Sequence, residues 1–172
     1  QEASSFNIIS DIENKVSLTS YYSMELGSRV HELMQMAQIN LEDFSDFISQ
    51  AEALRYGVDA INIVKQSIQD GVISSTIFGD KIAEFYNEFS FKYLEDQKLI
   101  IGKIDRVQIL KSGDIEILEY KTDAQFNEAH VVKSYSGQVG IYREAVRRIF
   151  GQSNQINVKI IFLKLGIVYE LG

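Results

Sequence analysis

The chain has no cysteine, so it can form neither disulfides nor thiolate-held metal sites, and a cysteine-ligated iron–sulfur cluster is excluded. Proline is also absent, and no repeat, linker or low-complexity stretch marks a boundary. No apolar run approaches the about 20 residues that a membrane-spanning helix needs, and no signal peptide opens the sequence. The expected location is therefore the cytoplasm, with no membrane contact. Positive charge is scarce too: 17 Lys and Arg stand against 24 Asp and Glu, for a formal net charge of -7. A nucleic-acid binder usually carries a basic stripe, so a chain this acidic would need either a local patch or a basic neighbour to deliver such a ligand. The candidates for a patch are Lys133, Arg143, Arg147, Arg148, Lys159 and Lys164.

What is present describes an ordinary globular domain, 45% apolar and 24% charged. Its 172 residues suit one domain better than two, and residues 1–172 are read as one. The first residue is Gln1 rather than Met, which suggests a segment of a longer polypeptide.

The most informative stretch is IGKIDRVQILKSGDIEILEYKTD, from Ile101 to Asp123. Ile101 to Leu110 and Asp114 to Lys121 interleave β-branched and polar residues, and Lys111-Ser112-Gly113 between them has turn chemistry. With those three residues as the loop and Gly113 in the left-handed position, Leu110 pairs with Asp114 and Asp105 lies opposite Glu119. Alternation then puts Lys103, Asp105, Val107 and Ile109 on one face with Ile115, Ile117, Glu119 and Lys121. Opposed carboxylates have Cβ atoms roughly 4.5–5.5 Å apart and repel one another. A divalent cation held by oxygen ligands would compensate, with Lys121 adding a donor and a charge. A plain charge ladder, in which Lys103 and Lys121 neutralise Asp105 and Glu119 on a solvated face, is the rival reading.

Around this hairpin, residues to about Thr19 (1–19) read as an arm. Ser20 to Gln38 reads as a core helix with Met24, Val30, Leu33, Met34 and Ala37 on its apolar stripe. Residues 40–83 read as a helical insertion joined at Gly57 and at Asp70-Gly71, and residues 84–172 as the sheet with one further helix. Phe85 to Leu94 reads as a strand that turns near Asp96-Gln97 into the next. Val131 to Phe150 reads as an amphipathic helix on Val139, Tyr142, Ala145, Val146 and Ile149. The last stretch, NVKIIFLKLGIVYEL, reads as β with a hairpin at Lys164-Leu165-Gly166, its first strand lying beside the hairpin through a parallel crossover.

Taken in order, GSRVHEL, GKIDRV, ILEYKTD and GQVGIY resemble the motifs of the RecB-type branch of the PD-(D/E)XK nucleases: a histidine helix, a G-x-x-D-R strand, a D/E-x-K strand and a Q-x-x-x-Y helix. The resemblance is greatest to the C-terminal nuclease domain of AddA-type and RecB-type helicase–nucleases. It implies an α/β, restriction-endonuclease-like core: a mixed central sheet flanked by helices, with the helical insertion between the first core helix and the sheet.

It also implies roles. Asp105, Glu119 and Lys121 would be catalytic. His31, Asp105, Glu119 and the Tyr120 backbone carbonyl would hold Mg²⁺, for which Mn²⁺ substitutes. Gln138 and Tyr142, four apart on a helix and so on one side of it, would position substrate. Glu88, in the setting EFSF, would stand behind the metal ligands or on the DNA side, although a surface glutamate is the plainer reading. Arg106 points away and makes a structural ion pair, while His130 is a loop or surface histidine. Many relatives carry aspartate where this chain has Glu119, which lengthens that ligand by a methylene. The implied activity is exonucleolytic hydrolysis of single-stranded DNA in double-strand-break repair. Its implied partners are a helicase domain of the same polypeptide and an AddB- or RecC-like protein. The alternatives are a catalytically silent DNA-holding module and a free-standing exonuclease.

Overall fold

A computed structural model describes residues 18–37, 44–151 and 155–172. Five helices and five strands are described, α1 (Leu18–Met36), α2 (Phe44–Ala53), α3 (Val58–Gln69), α4 (Gly71–Phe78), β1 (Ile82–Glu95), β2 (Lys98–Leu110), β3 (Ile115–Lys121), α5 (Glu128–Phe150), β4 (Ile156–Phe162) and β5 (Ile167–Leu171). The expected arm lies almost wholly outside the described residues.

The strands form one sheet in the order β1-β2-β3-β4-β5. Every neighbouring pair is antiparallel except β3 and β4, because α5 carries the chain over one face before it re-enters as β4. The result is the α/β architecture with a mixed sheet that the resemblance implied.

Local chemistry sets the joints. Asp96 and Gln97 both have positive φ, 48° and 65°, so β1 and β2 are joined by the tight two-residue turn whose twist matches the flanking strands. Asp70 caps α4 by accepting from the N–H groups of Val72 and Ile73 at 3.0 and 2.9 Å. Asn127 caps α5 by accepting from the His130 N–H at 3.0 Å. That helix therefore begins three residues before the expected start, and His130 is an exposed residue of its first turn. Gly113, at φ 91°, closes the three-residue loop between β2 and β3.

Each face of the sheet is covered by its own helices. Leu118, Tyr120, Ile161 and Leu163 pack against Val30, Leu33 and Met34 of α1, Ile61 and Val64 of α3, and Ile73 and Ile77 of α4. Val107, Ile115, Ile117, Val158 and Ile160 pack against Val139, Tyr142, Ala145 and Val146 of α5. Four apolar residues placed in these helices by spacing are not in the core: Met24 at 58% exposure, Leu54 at 60%, Val58 at 73% and Ile149 at 52%. Leu54, Val58 and Ile149 lie at or beside helix ends, where the stripe has run past its partner.

Arg106 is 1% exposed. The expected ion pair does not form: among the described residues no carboxylate pairs with it. Its guanidinium donates to the Ile77 carbonyl at 2.7 Å, to Gln108 Oε1 at 2.7 Å and to Asn87 Oδ1 at 3.5 Å. The Phe85 ring lies 4.1 Å away. Neutral acceptors suffice because a guanidinium presents five donors in a fixed fork. Beside it, Gln108 and the buried Glu116 continue the polar strip to Lys81 and Lys159. Lys159 is thus spent on Glu116 inside the fold and is not available to an expected basic patch, while Arg143 leans on the carbonyls of Leu171 and Gly172.

Candidate active site

The register of β2 and β3 is the expected one: Ile109 faces Ile115, Val107 faces Ile117 and Arg106 faces Leu118. Continued by one step it sets Asp105 against Glu119, but the backbone ladder stops there and the two side chains take over its hydrogen bonds. Asp105 Oδ2 accepts from the Tyr120 N–H at 2.8 Å, and Glu119 Oε1 accepts from the Asp105 N–H at 3.2 Å. Both carboxylates are thereby fixed in the split between β2 and β3.

A change of face accompanies the split. Val107 and Ile104 both belong to the α5 side although they are an odd number of residues apart, so the alternation breaks at Asp105 and Arg106. The same break occurs in β1, where Glu88 has a φ of 50°, a conformation costly for a residue with a Cβ and frequent at functional sites. Lys103 consequently leaves the face it was expected to share with Val107. It lies on the open side of the β1–β2 ribbon and pairs with Glu88.

His31 reaches the split from α1. Its Nδ1 faces the Gly27 carbonyl at 2.8 Å and its Nε2 faces Asp105 Oδ2 at 3.2 Å, while its ring stands edge-on to Tyr120 with centroids 6.1 Å apart. By accepting from Nδ1–H, the Gly27 carbonyl holds the ring with Nε2 directed at the carboxylates, and it keeps the proton on Nδ1 when the ring becomes neutral. The Tyr120 carbonyl faces the same way: a strand residue presents its N–H and C=O to one neighbour, and the Tyr120 N–H goes to Asp105.

Lys121 lies beneath α5, its Nζ 5.0 Å from the centroid of the Tyr135 ring. Farther along the helix, Gln138 Nε2 donates to the Tyr142 hydroxyl at 2.5 Å, and that hydroxyl donates to the Lys103 carbonyl at 3.1 Å. Gln138 and Tyr142 therefore tie α5 to β2 two residues from Asp105. His31, Asp105, Glu119, Tyr120 and Lys121 come together at the split, with Gln138 and Tyr142 behind them; Glu88 stands on the ribbon side with Lys103, and His130 is elsewhere. Tyr135 was not singled out from the sequence, although Tyr135, Gln138 and Tyr142 recur at helical spacing and the stripe could have revealed it.

The electrostatics describe a site short of positive charge. Burial, then the Asp105 charge, push the Glu119 carboxyl well above the usual carboxylate range; Glu119 is 8% exposed. Burial alone would lower His31, but its hydrogen bond to Asp105 and the charge of that residue, helped by the Gly27 carbonyl, raise it to about 9. Burial would lower Lys121 as well, yet the Tyr135 hydroxyl and then the Glu119 and Asp105 charges hold it above the ordinary lysine value. The charge ladder does not form: among the described residues neither Lys103 nor Lys121 makes an ion pair with Asp105 or Glu119. Nor, among them, do three of the His, Asp and Glu side chains stand in a finished metal-binding arrangement.

These shifts make stability depend on pH. Without a divalent cation, both His31 and Glu119 have folded-state pKa values above their ordinary ones. A raised value stabilises the fold at low pH, and that contribution is lost as pH rises through the folded-state value. For His31 the window runs from about 6.5 to about 9. In EDTA, the melting midpoint of the parent relative to His31→Gln, which cannot titrate, should fall by several degrees between pH 6 and pH 9. At this chain length about 1 kcal/mol corresponds to roughly 2–4 °C. A constant difference across that range would refute the assignment.

A profile of the PD-(D/E)XK nuclease superfamily matches residues 12–169. The chain belongs to the PD-(D/E)XK nuclease superfamily. It is 30% identical over 141 residues to an ATP-dependent helicase/nuclease of Streptococcus pneumoniae, a match covering 76% of this chain and 11% of that protein. The exonuclease/helicase protein RexA of S. pneumoniae matches to the same extent. An ATP-dependent helicase/nuclease of Streptococcus agalactiae is 26% identical over 136 residues, covering 73% of this chain and 11% of the relative. The chain thus spans about a tenth of the length of the curated relatives it matches. The mixed five-stranded sheet and its flanking helices accord with the restriction-endonuclease-like fold of this superfamily, whose nucleases generally use divalent metal ions. Among the described residues no helix is long and apolar enough to cross a membrane.

Proposed function

We propose that this chain is the nuclease module of a longer cytoplasmic helicase–nuclease, and that it hydrolyses single-stranded DNA from an end in double-strand-break repair. The helicase domain of the same polypeptide and an AddB- or RecC-like protein would be its partners. The observation that carries the catalytic reading is the split between β2 and β3, where Asp105 and Glu119 replace the backbone ladder with His31 and Lys121 on either side.

The residues fit a divalent cation. Two carboxylate oxygens and a backbone carbonyl are hard donors suited to such a cation, joined by one borderline donor, a neutral imidazole nitrogen, and the upward shift of Glu119 marks a place where a positive charge would be welcomed. Asp105, Glu119, His31 and the Tyr120 carbonyl would hold Mg²⁺, with Mn²⁺ as a substitute. When bound, the cation would offset charge at the phosphate and make water a better nucleophile. His31 would first give up its proton, so that Nε2 could turn from Asp105 to the metal.

Lys121 would act as an ammonium, since its neighbours keep it charged, stabilising the negative charge that builds on the phosphoryl oxygens. Gln138 and Tyr142 would set substrate position through their hold on β2. In-line attack would release a 5′-phosphate and a 3′-hydroxyl. The net charge of -7 favours delivery of the strand by another part of the polypeptide over strong binding here.

The test is cleavage of end-labelled linear single-stranded DNA, with circular single-stranded DNA and a linear duplex as comparisons, in Mg²⁺, Mn²⁺ or EDTA. Linear single strands should be degraded only with a cation, and circles should persist. Cleaved circles would remove the exonuclease reading. No cleavage of any substrate at high protein concentration would favour the silent DNA-holding module.

A further inference from the structure

Lys121 follows Glu119 by two residues on β3, and its partly buried ammonium lies in the field of both site carboxylates. A four-carbon stem is flexible enough to fold such an ammonium onto them. Among the described residues it does not, and its Nζ lies instead 5.0 Å from the centroid of the Tyr135 ring, while the Tyr135 hydroxyl helps hold its pKa above the ordinary lysine value. A cation over an aromatic face is attracted by the ring quadrupole, more strongly where water is thin. Tyr135 is itself held, because Val131, Val139 and Tyr142 of the same helix are buried and the link from Tyr142 to the Lys103 carbonyl fixes α5 against β2.

We propose that Tyr135 is a positioning residue that keeps the Lys121 ammonium off the Asp105–Glu119 pair, leaving both carboxylates free for a divalent cation. The inference rests on the metal-dependent reading above. Without Tyr135, Lys121 competes with the cation for the same oxygens. The hydroxyl and the ring contribute separately, so phenylalanine retains part of the hold.

The experiment is calorimetric titration of the chain with Mn²⁺, beside cleavage of single-stranded DNA and melting of each variant. Tyr135→Leu should bind Mn²⁺ about tenfold more weakly and Tyr135→Phe within about threefold of the parent, as expected for loss of a partly desolvated cation–π contact. The double variant Tyr135→Leu with Lys121→Met should bind as tightly as Lys121→Met alone. Should Tyr135→Leu fail to fold, Tyr135→Gln takes its place. Parent-like Mn²⁺ binding by the variant lacking the ring overturns the proposal. So does a loss that persists when Lys121 is methionine, because Tyr135 then acts on the fold rather than through the ammonium. A parent that binds Mn²⁺ yet leaves DNA intact would sink the nuclease reading while the titrations still decide the role of Tyr135. A parent that binds no Mn²⁺ overturns both.

Discussion

Asp105→Asn should abolish both DNA cleavage and divalent-cation binding while leaving the chain folded, with a melting midpoint close to that of the parent. The amide is nearly isosteric with the carboxylate, and its oxygen can still accept from the Tyr120 N–H that Asp105 engages at 2.8 Å, so the split between β2 and β3 keeps its shape. What disappears is one of two neighbouring negative charges. In the cation-free chain that pair is a liability, since the Asp105 charge is the second largest reason, after burial, that the Glu119 carboxyl is shifted upward. Removing it relieves Glu119, although it also takes the ionic partner from His31. These opposing changes should leave the melting midpoint within a few degrees of the parent or above it, as is common where active sites are built at the expense of stability.

Catalysis has no such compensation. A cation contributes several kcal/mol at a phosphoryl centre, and each about 1.4 kcal/mol is tenfold in rate, so cleavage should fall by about a thousandfold or more. Calorimetry with Mn²⁺ and a gel assay on labelled single strands would check both halves. A variant that still cuts at a tenth of the parental rate would show that Asp105 does not hold the metal, and the ligand set would have to be rebuilt around Glu119 and Glu88.

The residues that were legible in advance share a physical reason. The register of β2 and β3 followed from a three-residue loop ending in glycine, because Gly113 could take the positive φ that such a loop requires and the period of two then carried the pairing to Asp105 and Glu119. Tertiary influence enters only where that ladder ends. The parallel placement of β4 was readable for a similar reason, a strand pattern following a long amphipathic helix. The break in alternation at Glu88 and Asp105 was not readable. Phe85 and Phe89 have the same parity in the sequence, yet Phe85 lies against Arg106 and Phe89 lies against Tyr86 and Phe150, and nothing in a glutamate announces a φ of 50°. That break sends Lys103 to Glu88 and turns Asp105 toward His31. The partners of Arg106 escaped notice because they are main-chain and amide oxygens, which composition does not reveal. Val58 shows the converse limit: its spacing is helical, but at the first turn of α3 no neighbour is there to cover it.

Lys121→Met should separate catalysis from cation binding more cleanly than any change to the carboxylates. Methionine keeps most of the length and apolar body of the lysine stem, so the space under Tyr135 stays filled and the melting midpoint should move little. Removing the ammonium takes one positive charge away from Asp105 and Glu119, both of which interact with it, so Mn²⁺ should bind as tightly as to the parent or somewhat more tightly. The rate, by contrast, loses a fixed donor aimed at charge that develops in the transition state, a loss worth about 10²–10³-fold at comparable sites. Its signature is a fall in kcat with little change in KM for DNA, because the missing interaction strengthens only as the reaction proceeds. Were KM to rise with kcat unchanged, Lys121 would be a ground-state phosphate contact and the charge-stabilising role would fall. Were Mn²⁺ binding lost as well, the lysine would be part of the scaffold that fixes β3, and Tyr135 would be holding structure rather than a catalytic ammonium.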